Sequence, residues 1–213
     1  MADLPTMNLT MVKGKSFMRT IYWGLEPLQF RTVTGVSKTA PVTLTVPNHG
    51  LPASWPIAIT DVAGMSEINA KAKVPLPDEY LIASRVDQDT LTIPNLSAVG
   101  FSNYTSGGLI RFATPANLTG CSALFQARRK PGSPVLLEMS TVEGGGVFLD
   151  VENSRILLYT SPEQTETLGF KVAQYELELR TPPTQYAPAG DVYPIMRGTL
   201  AVLDEYAHTL DQL

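Results

Sequence analysis

The side chains best suited to chemistry in this 213-residue sequence are two histidines, His49 and His208, and one cysteine, Cys121. An imidazole can serve as general base for a hydroxyl or thiol nucleophile, and imidazole with thiolate is a familiar zinc ligand set. The spacing argues against both. His49 sits in a turn sequence, Pro47-Asn48-His49-Gly50, while His208 lies in the terminal stretch, and no Gly-x-Ser-x-Gly elbow presents a nucleophile to either. Cys121, between Leu118-Thr119-Gly120 and Ser122-Ala123-Leu124, reads as a buried structural thiol, and a lone cysteine excludes an intramolecular disulfide.

Paired acids invite a glycosidase reading, with one carboxyl as acid and the other as nucleophile or base. The pairs Asp78-Glu79 and Asp204-Glu205 adjoin loops or ends, and Glu176 with Glu178 shares one face of a strand, so all three read as solvated faces. Asp87 and Asp89 have the ligand type for calcium without the rest of an acidic loop. The run Gly144 to Gly146 lacks the Lys and Ser/Thr of a phosphate loop and leads into Val147-Phe148-Leu149, which makes it a turn. Gly107-Gly108 likewise marks a hairpin bend. The expectation is a protein that is not an enzyme, with no catalytic, cofactor-binding or metal-binding residues.

Net charge of -4 and a single basic run, Arg128-Arg129-Lys130 before Pro131-Gly132, give no electrostatic reason to bind nucleic acid. No stretch approaches the roughly 20 apolar residues of a membrane helix, so no membrane partner is expected. The start, Met1-Ala2-Asp3-Leu4-Pro5, has no basic segment followed by an apolar run, which predicts synthesis in a cytoplasm. Asn-x-Ser/Thr triplets begin at Asn8, Asn95, Asn103 and Asn117, and a Thr-rich β composition accounts for them better than glycosylation.

The elements that would hold these residues are strands. Seventeen prolines and sixteen glycines are spread between short runs of Val, Ile, Leu, Thr and Tyr. Asn8 to Val12 and Ser16 to Trp23 open the chain around a turn at Lys13-Gly14-Lys15. From Arg31 to Phe112 a compact β unit follows, with Val42 to Val46, Trp55 to Val62, Leu81 to Val86, Thr90 to Ile93 and Leu109 to Phe112 as strands and a helical turn within Met65 to Lys71. Later come Ala123 to Arg128, Val135 to Met139, Phe148 to Val151 and Arg155 to Tyr159. Lys171 to Arg180 alternates most cleanly, and Gly198 to Leu203 closes the set before a polar tail. Ser161-Pro162-Glu163-Gln164 carries a capping box with proline at the first helical position, which predicts one short helix from Pro162 to Leu168.

Read with the middle removed, the outer block resembles a β-sandwich of tailed-bacteriophage virion proteins of the baseplate and fibre-attachment type. The residues that carry this are Val12-Lys13-Gly14-Lys15-Ser16-Phe17, then Ala116-Asn117-Leu118-Thr119-Gly120-Cys121-Ser122-Ala123-Leu124-Phe125-Gln126-Ala127-Arg128. The capped helix, the strand Ala173 to Leu179 and the closing Arg197-Gly198-Thr199-Leu200-Ala201-Val202 continue the order. The middle block resembles a small β domain, related to the first catalytic cysteine half-domain of ubiquitin-activating enzymes, that recurs in phage tail proteins. Its matching run is Pro47-Asn48-His49-Gly50-Leu51-Pro52, Ile57-Ala58-Ile59, Gly64-Met65-Ser66-Glu67-Ile68-Asn69, Tyr80-Leu81-Ile82 and Tyr104-Thr105-Ser106-Gly107-Gly108. That resemblance implies an architectural module without ubiquitin chemistry.

The combined expectation is an all-β chain: a discontinuous β-sandwich of residues 1–30 and 113–213, with a small β-barrel or sandwich, 31–112, inserted in an early loop. The resemblance implies a structural virion protein of a bacteriophage tail, made in the host cytoplasm. Its partners would be other tail, baseplate or fibre proteins in a symmetric multi-copy assembly. Trp23, Trp55, Tyr104, Tyr186 and Tyr193 are candidate anchors where exposed. The alternative is a carbohydrate- or receptor-binding β-sandwich module.

Overall fold

The structure is a computed structural model that describes residues 5–205, and the fold is all-β. The strands run β1 (Leu9–Val12), β2 (Phe17–Tyr22), β3 (Gly24–Thr32), β4 (Gly35–Val36), β5 (Val42–Thr45), β6 (Ser54–Ala63), β7 (Leu81–Arg85) and β8 (Thr90–Ile93). They continue as β9 (Ser106–Pro115), β10 (Ser122–Arg128), β11 (Val135–Ser140), β12 (Val147–Asp150), β13 (Arg155–Thr160), β14 (Val172–Arg180) and β15 (Val192–Leu203). One α-helix, α1 (Pro162–Glu166), separates β13 from β14, and single 3-10 turns form at Ser66–Ile68 and Pro77–Glu79.

The chain divides into two compact units. A sandwich unit takes Met1–Ile21, Leu118–Val151 and Arg155–Leu213, and a barrel unit takes Tyr22–Asn117 with Glu152–Ser154. The expected boundaries at 30/31 and 112/113 therefore move outward. The cause is β3, which pairs antiparallel along β9 from Gly24↔Pro115 to Thr32↔Leu109 and so belongs to the barrel. Ser154 joins it through Trp23 N–H, which donates to the Ser154 carbonyl at 3.0 Å.

In the sandwich unit a five-stranded sheet, β1-β15-β14-β10-β11, is accompanied by a three-stranded sheet, β12-β13-β2. Strict alternation builds the core: β14 buries Ala173, Tyr175, Leu177 and Leu179 while Gln174 and Glu176 stay exposed, and β10 buries Ala123, Phe125 and Ala127. Phe125 and Tyr175 stack with centroids 4.8 Å apart. Tyr175 lies opposite Gly198 on β15, and its hydroxyl reaches past to donate to the Met7 carbonyl at 2.5 Å. A Cβ on Gly198 would come 1.9 Å from that carbonyl oxygen, so glycine is required for the N-terminal strand to approach.

Helix α1 starts as its sequence predicts. Gln164 N–H donates to Ser161 Oγ at 3.3 Å, Ser161 N–H donates to Gln164 Oε1 at 2.9 Å, and Pro162 occupies the first turn. It stops at Glu166, short of the expected Leu168, and its buried Thr165 donates to the Lys15 carbonyl at 2.9 Å.

In the barrel unit the sheet runs β3-β9-β6-β7-β8-β5-β4 and closes on itself. Val33 N–H donates to Gly108 at 2.9 Å and Thr34 N–H to Thr45 at 2.8 Å, so the bent chain from β3 to β4 joins β9 on one side to β5 on the other. The interior holds Trp55, Ile57, Ile59, Leu44, Leu91 and Ile110, all buried. Trp55 Nε1 donates to the Ala113 carbonyl at 3.0 Å, and the Tyr22 ring meets Trp55 edge-on at 5.7 Å. β15 is longer than its sequence suggests, because Val192 to Arg197 precede the expected strand start at Gly198 yet pair with β14 across a bulge at Leu177/Glu178.

Candidate functional site

A concavity of about 620 Å³ in the sandwich unit lies over the outer, polar face of its five-stranded sheet. Strand register builds it in rows. Glu138 on β11, Gln126 on β10, Glu176 on β14 and Arg197 on β15 stand opposite one another in turn. A second row runs from Arg128 through Gln174 to Thr199, whose N–H donates to the Asn8 side chain at 3.2 Å. Side chains on one face of neighbouring strands are within reach of each other, so one strand's alternation becomes a two-dimensional polar surface only through its neighbours.

The rows are wired laterally. Gln126 Nε2 donates to Glu138 at 2.6 Å, Arg128 donates to Gln126 Oε1 at 2.8 Å, and Arg128 also holds the Ser133 carbonyl of the β10–β11 turn at 2.5 Å. Glu176 is exposed as a residue, yet its carboxyl is partly desolvated, and this pushes it above its ordinary range; a hydrogen bond and charge repulsion from Glu178 add to that, and Arg197 opposes it. The surface thus alternates acceptors, donors and charges of both signs, which suits it to orient a polar ligand or polypeptide.

A scan against protein-family models and a comparison with curated proteins both find no match for this chain.

The residues singled out by sequence occupy other places. His49 is buried in the barrel unit; Leu51 N–H donates to Nδ1 at 3.0 Å, which leaves the proton on Nε2 to donate to the Asp87 carbonyl at 2.9 Å. Both ring nitrogens are therefore spent on the turn. Asp87 accepts from Asp89 N–H at 2.8 Å, a bond that leads the causes holding its carboxyl below the usual range, and Asp89 accepts from Asn48 N–H at 2.7 Å. Glu79 accepts from the backbone of Lys71, Ala72 and Leu76, with the Leu76 bond the largest influence lowering its pKa. Asp204 pairs with Lys171 and Glu205 with Lys15. Among the described residues, no group of three or more His, Cys, Asp or Glu is placed to hold a metal ion. Cys121 is half-buried rather than fully buried, and burial raises its thiol pKa. Gly144 to Gly146 forms a turn against β11, with Ser140 N–H donating to the Gly145 carbonyl at 2.7 Å. His208 and the end of the polar tail lie outside the described residues.

Of the candidate aromatic anchors, Trp55 is core at 1% exposure, Trp23 and Tyr104 are half-buried, and Tyr186 and Tyr193 stand exposed. Sequence reasoning missed a different apolar surface. Phe148 lies opposite Leu157, two positions from Tyr159 on the same strand, and Phe148 and Tyr159 are exposed at 51% and 38%. Met18, on the third strand of that sheet, is exposed at 69%. The alternation of β13 carried the signal: Ile156 and Leu158 face the core, and Leu157 and Tyr159, also large, take the other face.

Proposed function

We propose that this chain is a structural subunit of a bacteriophage tail, in the baseplate, tail-tip or fibre-attachment region, acting through protein–protein contacts. It is made in the host cytoplasm, carried in the virion and partnered by other tail, baseplate or fibre proteins in a symmetric multi-copy assembly. The observation that supports contact as the mode of action is the outer face of the β12–β13 pair, where Phe148 and Tyr159 are exposed on the same side. Large apolar side chains exposed together on one strand pair give a patch of the kind used for contact with another protein. The tail location rests on the resemblance carried by Val12 to Phe17, Ala116 to Arg128 and the Pro47 to Pro52 run.

Electron microscopy of virions labelled with antibody to this chain tests the location. Label on the tail supports the proposal; label confined to the capsid, or a virion free of label, removes it. A second reading, a carbohydrate- or receptor-binding module, draws on the groove, whose rows of amide, carboxylate and guanidinium groups match sugar hydroxyls in hydrogen-bonding capacity. A glycan array probed with the purified protein, and repeated with Gln126→Ala and Gln174→Ala, decides it.

A further inference from the structure

Among the described residues, the N-terminal strand β1 lies at the edge of the five-stranded sheet, paired in parallel to β15 on one side only. Backbone groups of one residue point the same way and alternate along a strand. Met7 N–H donates to Arg197 at 2.9 Å and Lys13 N–H to Leu203 at 3.0 Å, so Leu9 and Met11, in phase with them, face β15. Asn8, Thr10 and Val12 face outward. Val12 accepts from Lys15 N–H at 3.2 Å; the remaining outward groups, including both from Thr10, have no backbone partner among the described residues.

Exposed edges are normally guarded by charge, proline or a bulge. The opposite edge, β11, follows that rule, with a bulge opposite Arg128 and Glu138 at its centre. So do the edges of the smaller sheet, where β2 carries the exposed Arg19 and β12 ends in the Asp150–Arg155 ion pair. β1 reads Leu-Thr-Met-Val, with no charge, no proline and an uninterrupted register. It is also self-complementary. Two copies brought together antiparallel about Thr10 place Asn8 opposite Val12 and Thr10 opposite Thr10, each with outward-facing groups. On the core side Leu9 then meets Met11, and on the other side threonine meets threonine, a favourable cross-strand pair. A two-fold contact requires this symmetry of a single patch.

We infer that β1 is a homodimer edge: two copies of this chain join through antiparallel β1 pairing centred on Thr10, fusing their five-stranded sheets into one continuous sheet. This stands on the edge geometry and is independent of the tail assignment, which is read on virions.

Sedimentation equilibrium of the full chain from micromolar to millimolar concentration tests it. The expected result is a mass rising to twice the 23.1 kDa of one chain. Thr10→Pro removes an outward N–H and leaves the pairing to β15 intact, and Thr10→Lys places charge opposite charge; each abolishes the dimer, with circular dichroism verifying the fold. Glu138→Lys on the other edge retains it. Paired residues of this kind have Cα atoms about 5.5 Å apart, within disulfide reach. Thr10→Cys in a Cys121→Ser background therefore cross-links between copies on oxidation, while Glu143→Cys in the same background does not. A single-chain mass at every concentration overturns the inference. So does a dimer that survives both Thr10 substitutions, or a folded Thr10→Cys variant that fails to cross-link.

Discussion

Replacing His49 by alanine removes an internal brace of the barrel unit. The ring is 1% exposed and bonds at both nitrogens, to Leu51 N–H at 3.0 Å and to the Asp87 carbonyl at 2.9 Å. The two losses are unequal. Leu51 is 2% exposed, so its N–H is left without a partner and without ready access to water, which costs about 1–3 kcal/mol. Asp87 is exposed, its carbonyl can be rehydrated, and only the net worth of one bond, about 1 kcal/mol, is lost. The sum is about 2–4 kcal/mol, before any contribution from the vacated ring volume. Tryptophan fluorescence during urea denaturation is the assay, because Trp23 and Trp55 both belong to the barrel unit and report on it alone. With a slope of about 1.5 kcal/mol per M for a unit of this size, the midpoint falls by about 1–3 M. An unchanged midpoint with an unchanged slope would refute the claim that the imidazole, rather than the backbone turn itself, holds Leu51 in place.

Three further outcomes follow from the sandwich unit. Glu176 has a folded-state pKa raised above its ordinary 4.5. Its contribution to stability is present below that value and disappears as pH rises through the folded pKa. Glu176→Gln should therefore flatten the decline in stability of this unit just above pH 4.5, measured by denaturant titration with circular dichroism at stepped pH; an identical pH profile contradicts the assignment. Phe125→Ala empties a fully buried site beside Tyr175 and should cost about 3–5 kcal/mol, seen as a lowered thermal midpoint by circular dichroism. Tyr175→Phe deletes the bond to Met7 and should cost about 0.5–1.5 kcal/mol; hydrogen exchange should accelerate first in Met7 to Val12, and uniform acceleration across the unit would argue against a local role.

Local patterns made much of the fold legible. Lys171 to Arg180 alternates because one face of β14 packs on the core, and period-two burial writes itself directly into residue type. The helix start was legible for a similar reason: the groups of a capping box lie within four residues of each other. Boundaries between the units were less so. Gly24 to Thr32 has the composition of a strand in either unit, and pairing with β9, some eighty residues away, decides which. The first half of β15 was hidden because Pro194 and the loop-like run before it obscure a strand that a bulge accommodates.

The candidate site was legible only in fragments. Glu176 and Glu178 stood out as one face of a strand, but their neighbours Gln126, Arg128 and Arg197 come from strands distant in sequence, and register alone sets them side by side. Sequence by itself determined that this is an all-β chain of short strands with one capped helix, since those follow from periodicity, propensity and turn chemistry acting over a few residues. Tertiary structure alone decided which strand joins which unit, where the polar groove and the apolar face lie, and that β1 is an edge strand among the described residues. Those depend on pairings between distant segments, for which the free energy is a property of both partners and is written in neither one.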